Sequence, residues 1–176
     1  MRQTSGSICS GIEGIGMGLA GGGYEPIWFC ENDRSASKIL AHHYPGVPNL
    51  GDLLTTDWGA VPTVDLLTAG FPCQPVSQGG LRKVKGDERW LWPYVADAIR
   101  LVRPRRVLLE NVPGLLRPWQ DDDGWWNPAP IEGVIRDLAQ MGFLGRWGSV
   151  CASDANMPHR RERIFIVANA SGEQPE

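Results

Sequence analysis

Short apolar runs alternate along the chain with segments whose apolar positions recur at helical spacing. ICSG (8–11) reads as a short strand entering a glycine-rich turn, GIGMGLAGGG as the start and end of a helix, and EPIWFC (25–30) as a second strand. A helix through RSASKILAHHY follows. VDLLTAG (64–70) is a further strand, RWLWPYVADAIRLV (89–102) a helix with Pro93 in its first turn, and RRVLLEN (105–111) a buried strand. IEGVIRDLAQMG (131–142) predicts a helix stopped by Gly142, and RIFIVA (163–168) a final strand.

Strands separated by helices imply βαβ units, hence an α/β fold with a Rossmann-like, doubly wound, mostly parallel sheet covered by helices on both faces. RPWQDDDGWWNPAP (117–130) breaks the rhythm and is expected to be an exposed loop. With 176 residues, 42% of them hydrophobic, the chain suffices for one core. One domain is expected over residues 1–168, with 169–176 as a polar tail or truncation point.

Composition narrows the class. No apolar run approaches the roughly 18 residues of a membrane span, and MRQTSGSICSG lacks the apolar core of a signal peptide, so a cytoplasmic protein is expected. The four cysteines are far apart, without the close pairs of a zinc site, so free thiols and no metal are expected. A formal charge of -3 argues against a chain that coats nucleic acid by bulk charge, but basic residues gather in LRKVKGDER, IRLVRPRR and HRRER.

In an open sheet of this kind, ligands sit outside the carboxyl ends of the strands. SGIEGIG follows the first strand, Glu31 the second, GFPCQP the VDLL strand, and Glu110 and Asn111 the RVLL strand. Glycines such as Gly11 and Gly14 let backbone approach a ligand, Glu31 can accept from both hydroxyls of a ribose, and Asp52 can take an adenine amine or simply cap a turn. An adenosine-containing cofactor follows, either a dinucleotide or S-adenosylmethionine. Cys73, held between prolines, favours the second: hydride transfer needs no thiol, whereas methylating carbon 5 of a cytosine does. That carbon is too electron-poor to attack a methylsulfonium until a thiolate has added to carbon 6.

GFPCQPVSQ (70–78), ENVPGLL (110–116) and PHRRERIFIVA (158–168), in that order after SGIEGIGMGL, resemble the cytosine-5 DNA methyltransferase family from about Ser7 to Ala168. The resemblance implies the methyltransferase version of the fold, S-adenosylmethionine as methyl donor and a cytosine flipped from duplex DNA as substrate. It makes Cys73 the nucleophile, Glu110 the group that holds the cytosine N3 and amine, and Arg161 and Arg163 their basic partners, placed on one face of a strand by alternation. It assigns the cofactor to Cys9, Ser10, Gly11, Gly14, Glu31, Asn32, Asp52, Gly70 and Pro72. Phe71, Pro72, Gln74, Ser77, Asn111, Val112 and His159 then face the DNA.

The chain departs from the family pattern at several points. Ser7-Ile8-Cys9-Ser10-Gly11 replaces Asp-Leu-Phe-Ala-Gly, so the aromatic ring expected on the adenine is missing, and either adenine stacking is weaker or Trp28 or Phe29 contributes. Glu13 stands where a second glycine is usual, and His159 where Gln is usual. Family members continue past the RRER strand into a target-recognition region. The chain is therefore expected to be a truncated form, a natural short form or one subunit of a split enzyme, completed by a second chain or by self-association. Two other readings stay open: a binding module that has lost activity, and a nicotinamide-dependent oxidoreductase.

Overall fold

The computed structural model describes residues 2–72, 90–120 and 126–172. Its strands are β1 (Gln3–Ile8), β2 (Tyr24–Cys30), β3 (Leu66–Ala69), β4 (Arg106–Asn111), β5 (Trp119–Gln120), β6 (Trp126–Asn127), β7 (Phe143–Val150) and β8 (Arg163–Ala170). The helices are α1 (Gly14–Leu19), α2 (Arg34–His43), α3 (Trp92–Val102) and α4 (Pro130–Gln140). Six strands form the main sheet in the order β2-β1-β3-β4-β8-β7. β2, β1, β3 and β4 run parallel, whereas β8 is antiparallel to both its neighbours.

Strand alternation separates the two faces. Val107 and Leu109 of β4 enter the core with Val95 and Ile99 of α3 and Val134 and Leu138 of α4. Leu108 and Glu110 point the other way, into a cavity beside Ile15 and Leu19 of α1. Helices therefore cover both faces, as the βαβ rhythm predicts. The chain leaves β1 for β2 on one side and returns to β3 on the other, so the ends of β1 and β3 form a topological switch point, where this architecture opens a crevice for ligands.

β1 is a correction to the sequence reading, which put the strand at 8–11. QTSGSI carries little apolar signal, yet it is flanked by β2 and β3 and buries Ser5 and Ser7. Ladder pairing on both edges overrides composition, while Cys9 at φ 51° and Gly11 at φ 54° end the extended run. Asp65 anchors the start of this pairing, accepting the Thr4 N–H at 2.7 Å and its hydroxyl at 3.0 Å. The backbone bond from Thr4 holds the Asp65 carboxyl below its ordinary range, with Thr4 Oγ1 and Arg105 acting the same way.

β7 had no sequence signal, because FLGRWGSV neither alternates nor lacks glycine. Gly145 is needed there: a Cβ at that position would lie 2.7 Å from the Val167 carbonyl of β8. The expected exposed loop at 117–130 also differs, since Trp119 is buried and pairs through β5 with β6. β8 continues past Ala168 to Ala170, pairing Asn169 with Arg106 and Ala170 with Phe143.

Trp28 fills the space over Gly6, and the register of β1 against β2 shifts between Ser5 and Gly6 to admit it. Its indole donates to the Pro62 carbonyl at 3.1 Å and meets Trp58 edge to face. An alanine Cβ at Gly6 would lie 2.1 Å from the Trp28 ring. Gly6→Ala is thus expected to lower stability by about 1–3 kcal/mol through overpacking, read as a reduced denaturant midpoint; an unchanged midpoint would show that Trp28 does not depend on that gap.

Candidate functional site

The crevice at the switch point is built by crossing hydrogen bonds between strand ends. Glu31, just past β2, accepts the Gly11 N–H at 2.7 Å on one carboxylate oxygen and the Asp33 N–H at 2.7 Å on the other. Asn49 holds the Glu31 backbone from the opposite side, accepting its N–H at 3.0 Å and donating to its carbonyl at 2.9 Å. Ser10 donates to the Ser7 carbonyl and accepts the Cys30 N–H, closing the turn after β1 onto the end of β2. Asp33 caps α2 by accepting from Ser35 and Ala36.

Two cavities meet there. One, of about 340 Å³, is lined by Cys9, Cys30, Glu31, Asn32, Gly51, Asp52, Leu53, Gly70, Pro72 and Leu91. The other, of about 610 Å³, includes Cys9, Ser10, Gly11, Gly14, Gly70, Glu110, Arg161 and Arg163, with Ile15, Leu108 and Phe165 as an apolar wall. Cys9 and Gly70 line both, so they stand at the junction. Asp52 accepts the Leu54 N–H at 2.9 Å as a turn cap and also lines the first cavity.

In the second cavity, Arg163 Nε donates to Glu110 Oε1 at 2.8 Å, with both side chains about one-quarter exposed. This is a half-buried, charge-assisted contact that fixes the carboxylate at the end of β4. Arg161 reaches the same cavity, but not by strand alternation, because β8 begins only at Arg163 and Arg161 sits in the preceding loop at φ 29°. Asn111 is buried and donates to the Phe71 carbonyl at 3.0 Å, while its own side-chain oxygen accepts the Val112 N–H. It ties the segment after β3 to β4.

Some expected roles do not fit. Trp28 and Phe29 are core residues and line neither cavity: Trp28 is committed to Gly6 and Pro62, and Phe29 packs on Tyr44. His159, expected to face DNA, lies on an exposed loop and lines neither cavity, a place that suits a surface contact. Cys73, Gln74 and Ser77 fall outside the described residues, as does the LRKVKGDER cluster. Two thiols at the site are poor nucleophiles. Burial, then the neighbouring Cys30, Glu31 and Asp52, push Cys9 up to about 12, and burial pushes Cys30 up to about 11. Neither forms appreciable thiolate at neutral pH.

Asn49, Leu53 and Leu91 were missed from the sequence. Asn49 lies in a Pro-Asn turn that reads as a plain loop, and the two leucines as core. Among the described residues no cluster of His, Cys, Asp and Glu could hold a metal ion, and no helix is long and apolar enough to cross a membrane.

A family model described as C-5 cytosine-specific DNA methylase matches residues 4–176. The Type II methyltransferase M.NgoMIV of Neisseria gonorrhoeae is 33% identical over 96% of this chain and 52% of its own length. A protein of Escherichia phage P1 named DNA N-6-adenine-methyltransferase is 37% identical over 94% of this chain but only 28% of its own. Among solved structures, the Dnmt2 methyltransferase of S. pombe superposes over the whole chain and 52% of its own, with a TM-score of 0.72 at 16% identity, a likeness of fold. The chain thus spans about half the length of the first relative and of the solved structure.

Removing the Glu31 carboxylate leaves two backbone donors without their acceptor. Glu31→Ala is expected to cost about 1–3 kcal/mol of stability and to speed amide exchange at Gly11 and Asp33; unchanged exchange at both would remove Glu31 from its bracing role.

Proposed function

Because the chain belongs to the C-5 cytosine-specific DNA methylase family, we propose that it carries the methyl-transfer machinery of a DNA (cytosine-5)-methyltransferase. The cofactor is S-adenosylmethionine and the substrate a cytosine turned out of the duplex. The observation that carries this reading is the meeting of two cavities at Cys9 and Gly70, one lined by Glu31, Asn32 and Asp52 and the other by the Glu110–Arg163 pair.

The residues of the first cavity suit an adenosine. Glu31 keeps acceptor capacity beyond its two backbone bonds, enough for ribose hydroxyls, Asp52 and Asn32 suit the polar edge of a purine, and Leu53 and Leu91 supply apolar walls. The open backbone at Gly11 and Gly14, where a Cβ would meet nothing within 4 Å, leaves room toward the second cavity. When bound, S-adenosylmethionine supplies an electrophilic methyl group on a sulfonium.

Glu110, fixed by Arg163, receives the N3 edge and exocyclic amine of the flipped cytosine, with Arg161 at the same rim for the adjoining phosphate. Asn111 holds the Phe71 carbonyl and so steadies the start of the GFPCQP segment that carries Cys73. Cys73 adds as thiolate to carbon 6 while N3 takes a proton carried by Glu110, which turns carbon 5 into an enamine carbon able to take the methyl group, with the thioether of the spent donor as leaving group. Carbon 5 then gives up its proton to solvent, the thiolate leaves carbon 6 and N3 returns its proton to Glu110, restoring the aromatic ring. Burial raises Cys9 and Cys30, which favours Cys73 over these two neighbouring thiols for this step. Methylation of an adenine amine, the activity in the phage relative's name, requires no such addition, so the PCQP and ENV segments favour the ring carbon.

Sequence recognition is assigned to protein mass outside these 176 residues, in the same polypeptide, in a second chain or in a second copy of this one. The β7 edge, with Leu144, Trp147 and Val150 exposed beside Val167 of β8, supports docking on that side. With only the basic residues of this chain, DNA binding is expected to be weak, strongly salt-dependent and nearly sequence-independent.

Calorimetry is expected to show binding of S-adenosylmethionine and none of NAD; the reverse result overturns the reading. Cys73→Ser is expected to bind the cofactor as the wild type does and to lose methyl transfer to a mismatched or single-stranded cytosine, where flipping costs least. Retained transfer in the serine variant would refute the role of Cys73.

A further inference from the structure

Behind the turn between β1 and α1 lies a third cavity, of about 140 Å³, that no step above uses. Glu13 is only 2% exposed, and its side chain lies beneath α1, where a Cβ at Gly16 would come 2.1 Å from Oε1. Ser5 of β1, Thr68 of β3, Tyr24 of β2 and Tyr44 at the end of α2 line the same space. Glu13 Oε2 and Thr68 Oγ1, both buried, have no hydrogen-bond partner among the described residues.

The backbone of Glu13 is equally committed. At φ 66°, ψ 39° it occupies the left-handed region as the N-cap of α1, a conformation that disfavours any side chain other than glycine's. Its N–H donates to the Ser10 carbonyl at 2.8 Å, and its carbonyl accepts the Met17 N–H at 2.9 Å. Ser10 and Gly11, three and two residues upstream, line the cavity assigned above to the cofactor and target base. A strained residue there is tolerable when its side chain is over-determined by its surroundings.

Those surroundings suit a neutral acid. Among the described residues, the titratable groups that line the cavity with Glu13 are Tyr24 and Tyr44, and no lysine, arginine or histidine does. The Arg106 guanidinium donates to the Tyr24 hydroxyl at 2.8 Å from β4 without itself lining the space. A carboxylic acid can both donate and accept, and the cavity has room for water to reach the orphaned oxygens of Glu13 and Thr68. An ionised carboxylate would be buried without a counter-ion.

We propose that Glu13 is a positioning residue for the 9–14 turn, pinning it through a buried, neutral carboxyl group and cavity water, so that ionisation of Glu13 releases the turn and weakens the cofactor. The proposal rests on the reading that this turn binds S-adenosylmethionine. Burial pushes the Glu13 carboxyl up, with only the Ser7 hydroxyl acting against it. The sign follows: an acid whose folded value is raised stabilises the fold fully below its unfolded value, and that contribution is lost as pH rises through the folded value.

The test is the pH dependence of S-adenosylmethionine affinity by calorimetry and of amide exchange at residues 10–17 in the cofactor-free protein. Wild type is compared with Glu13→Gln, the neutral isostere, and Glu13→Gly, which relieves the backbone but removes the anchor. The ratio of wild-type to Glu13→Gln affinity is expected to fall about tenfold as pH rises from the ordinary carboxyl range through the raised Glu13 value; the ratio cancels titration of the cofactor's own amine. Protection of the amides at 10–17, taken relative to their intrinsic exchange rate at each pH, should fall over the same range in wild type alone, and be low at every pH in Glu13→Gly. A constant ratio with pH-independent protection would overturn the proposal, as would recovery of alkaline affinity on adding sodium or potassium, which would mean that Glu13 is an anion holding a cation. Absence of cofactor binding at every pH would instead refute the cofactor reading, and the exchange profile would still decide the role of Glu13.

Discussion

The carboxylate of Glu31 braces the turn after β1 against the end of β2. By accepting the N–H of Gly11 and the N–H of Asp33 at once, it fixes the turn that leads into α1 and the entry to α2 with one side chain. Parallel strands place their carboxyl ends side by side but leave the loops beyond them unpaired, and each loose backbone donor must find a partner. Here the same group that satisfies those donors faces the cavity, so the support of the site and its binding surface are one residue. Asn49 then matters as much as the glycines, because it determines where the Glu31 backbone sits.

Electrostatics divides the crevice into parts with different tasks. Burial, with Glu31 and Asp52 adding to it, raises the Cys9 and Cys30 thiols of the first cavity and makes them poor nucleophiles despite their position. The second gathers Arg161 and Arg163 around a single carboxylate, Glu110. In the function proposed, the acceptors on one side serve a donor nucleoside and the arginine-held carboxylate on the other an acceptor base, and the two cavities meet at Gly70. A bulkier residue there would approach Glu110 Oε2 and the Cys9 carbonyl, both within 4 Å of a Cβ.

Much of this was legible in the sequence because the strands that position the site are apolar and their ends are not. EPIWFC, VDLLTAG and RRVLLEN mark β2, β3 and β4, and Glu31, Gly70 and Glu110 follow or end them as expected. What could not be read is governed by tertiary pairing. QTSGSI becomes a strand because it has a partner on each side, and FLGRWGSV because Gly145 lets it close on β8. The aromatic residues misled for a related reason: Trp28 beside the cofactor turn was a plausible stacking partner, but the gap at Gly6 draws its ring into the core. Glu13 looked like a lost glycine, and its burial beneath α1 is visible only once Gly16 is seen to make room for it.

Methylation of a ring carbon through a covalent thiol adduct, as proposed for this crevice, is tested most directly by intact mass analysis after incubation with S-adenosylmethionine and DNA containing 5-fluorocytosine. Fluorine at carbon 5 cannot depart as the proton does, so elimination of the thiol stops. The account predicts a cofactor-dependent increase in mass equal to the methylated oligonucleotide, mapped by digestion to the peptide that bears Cys73. Methylation of ordinary cytosine with no trapped adduct, or an adduct on Cys9, Cys30 or Cys151, would contradict it.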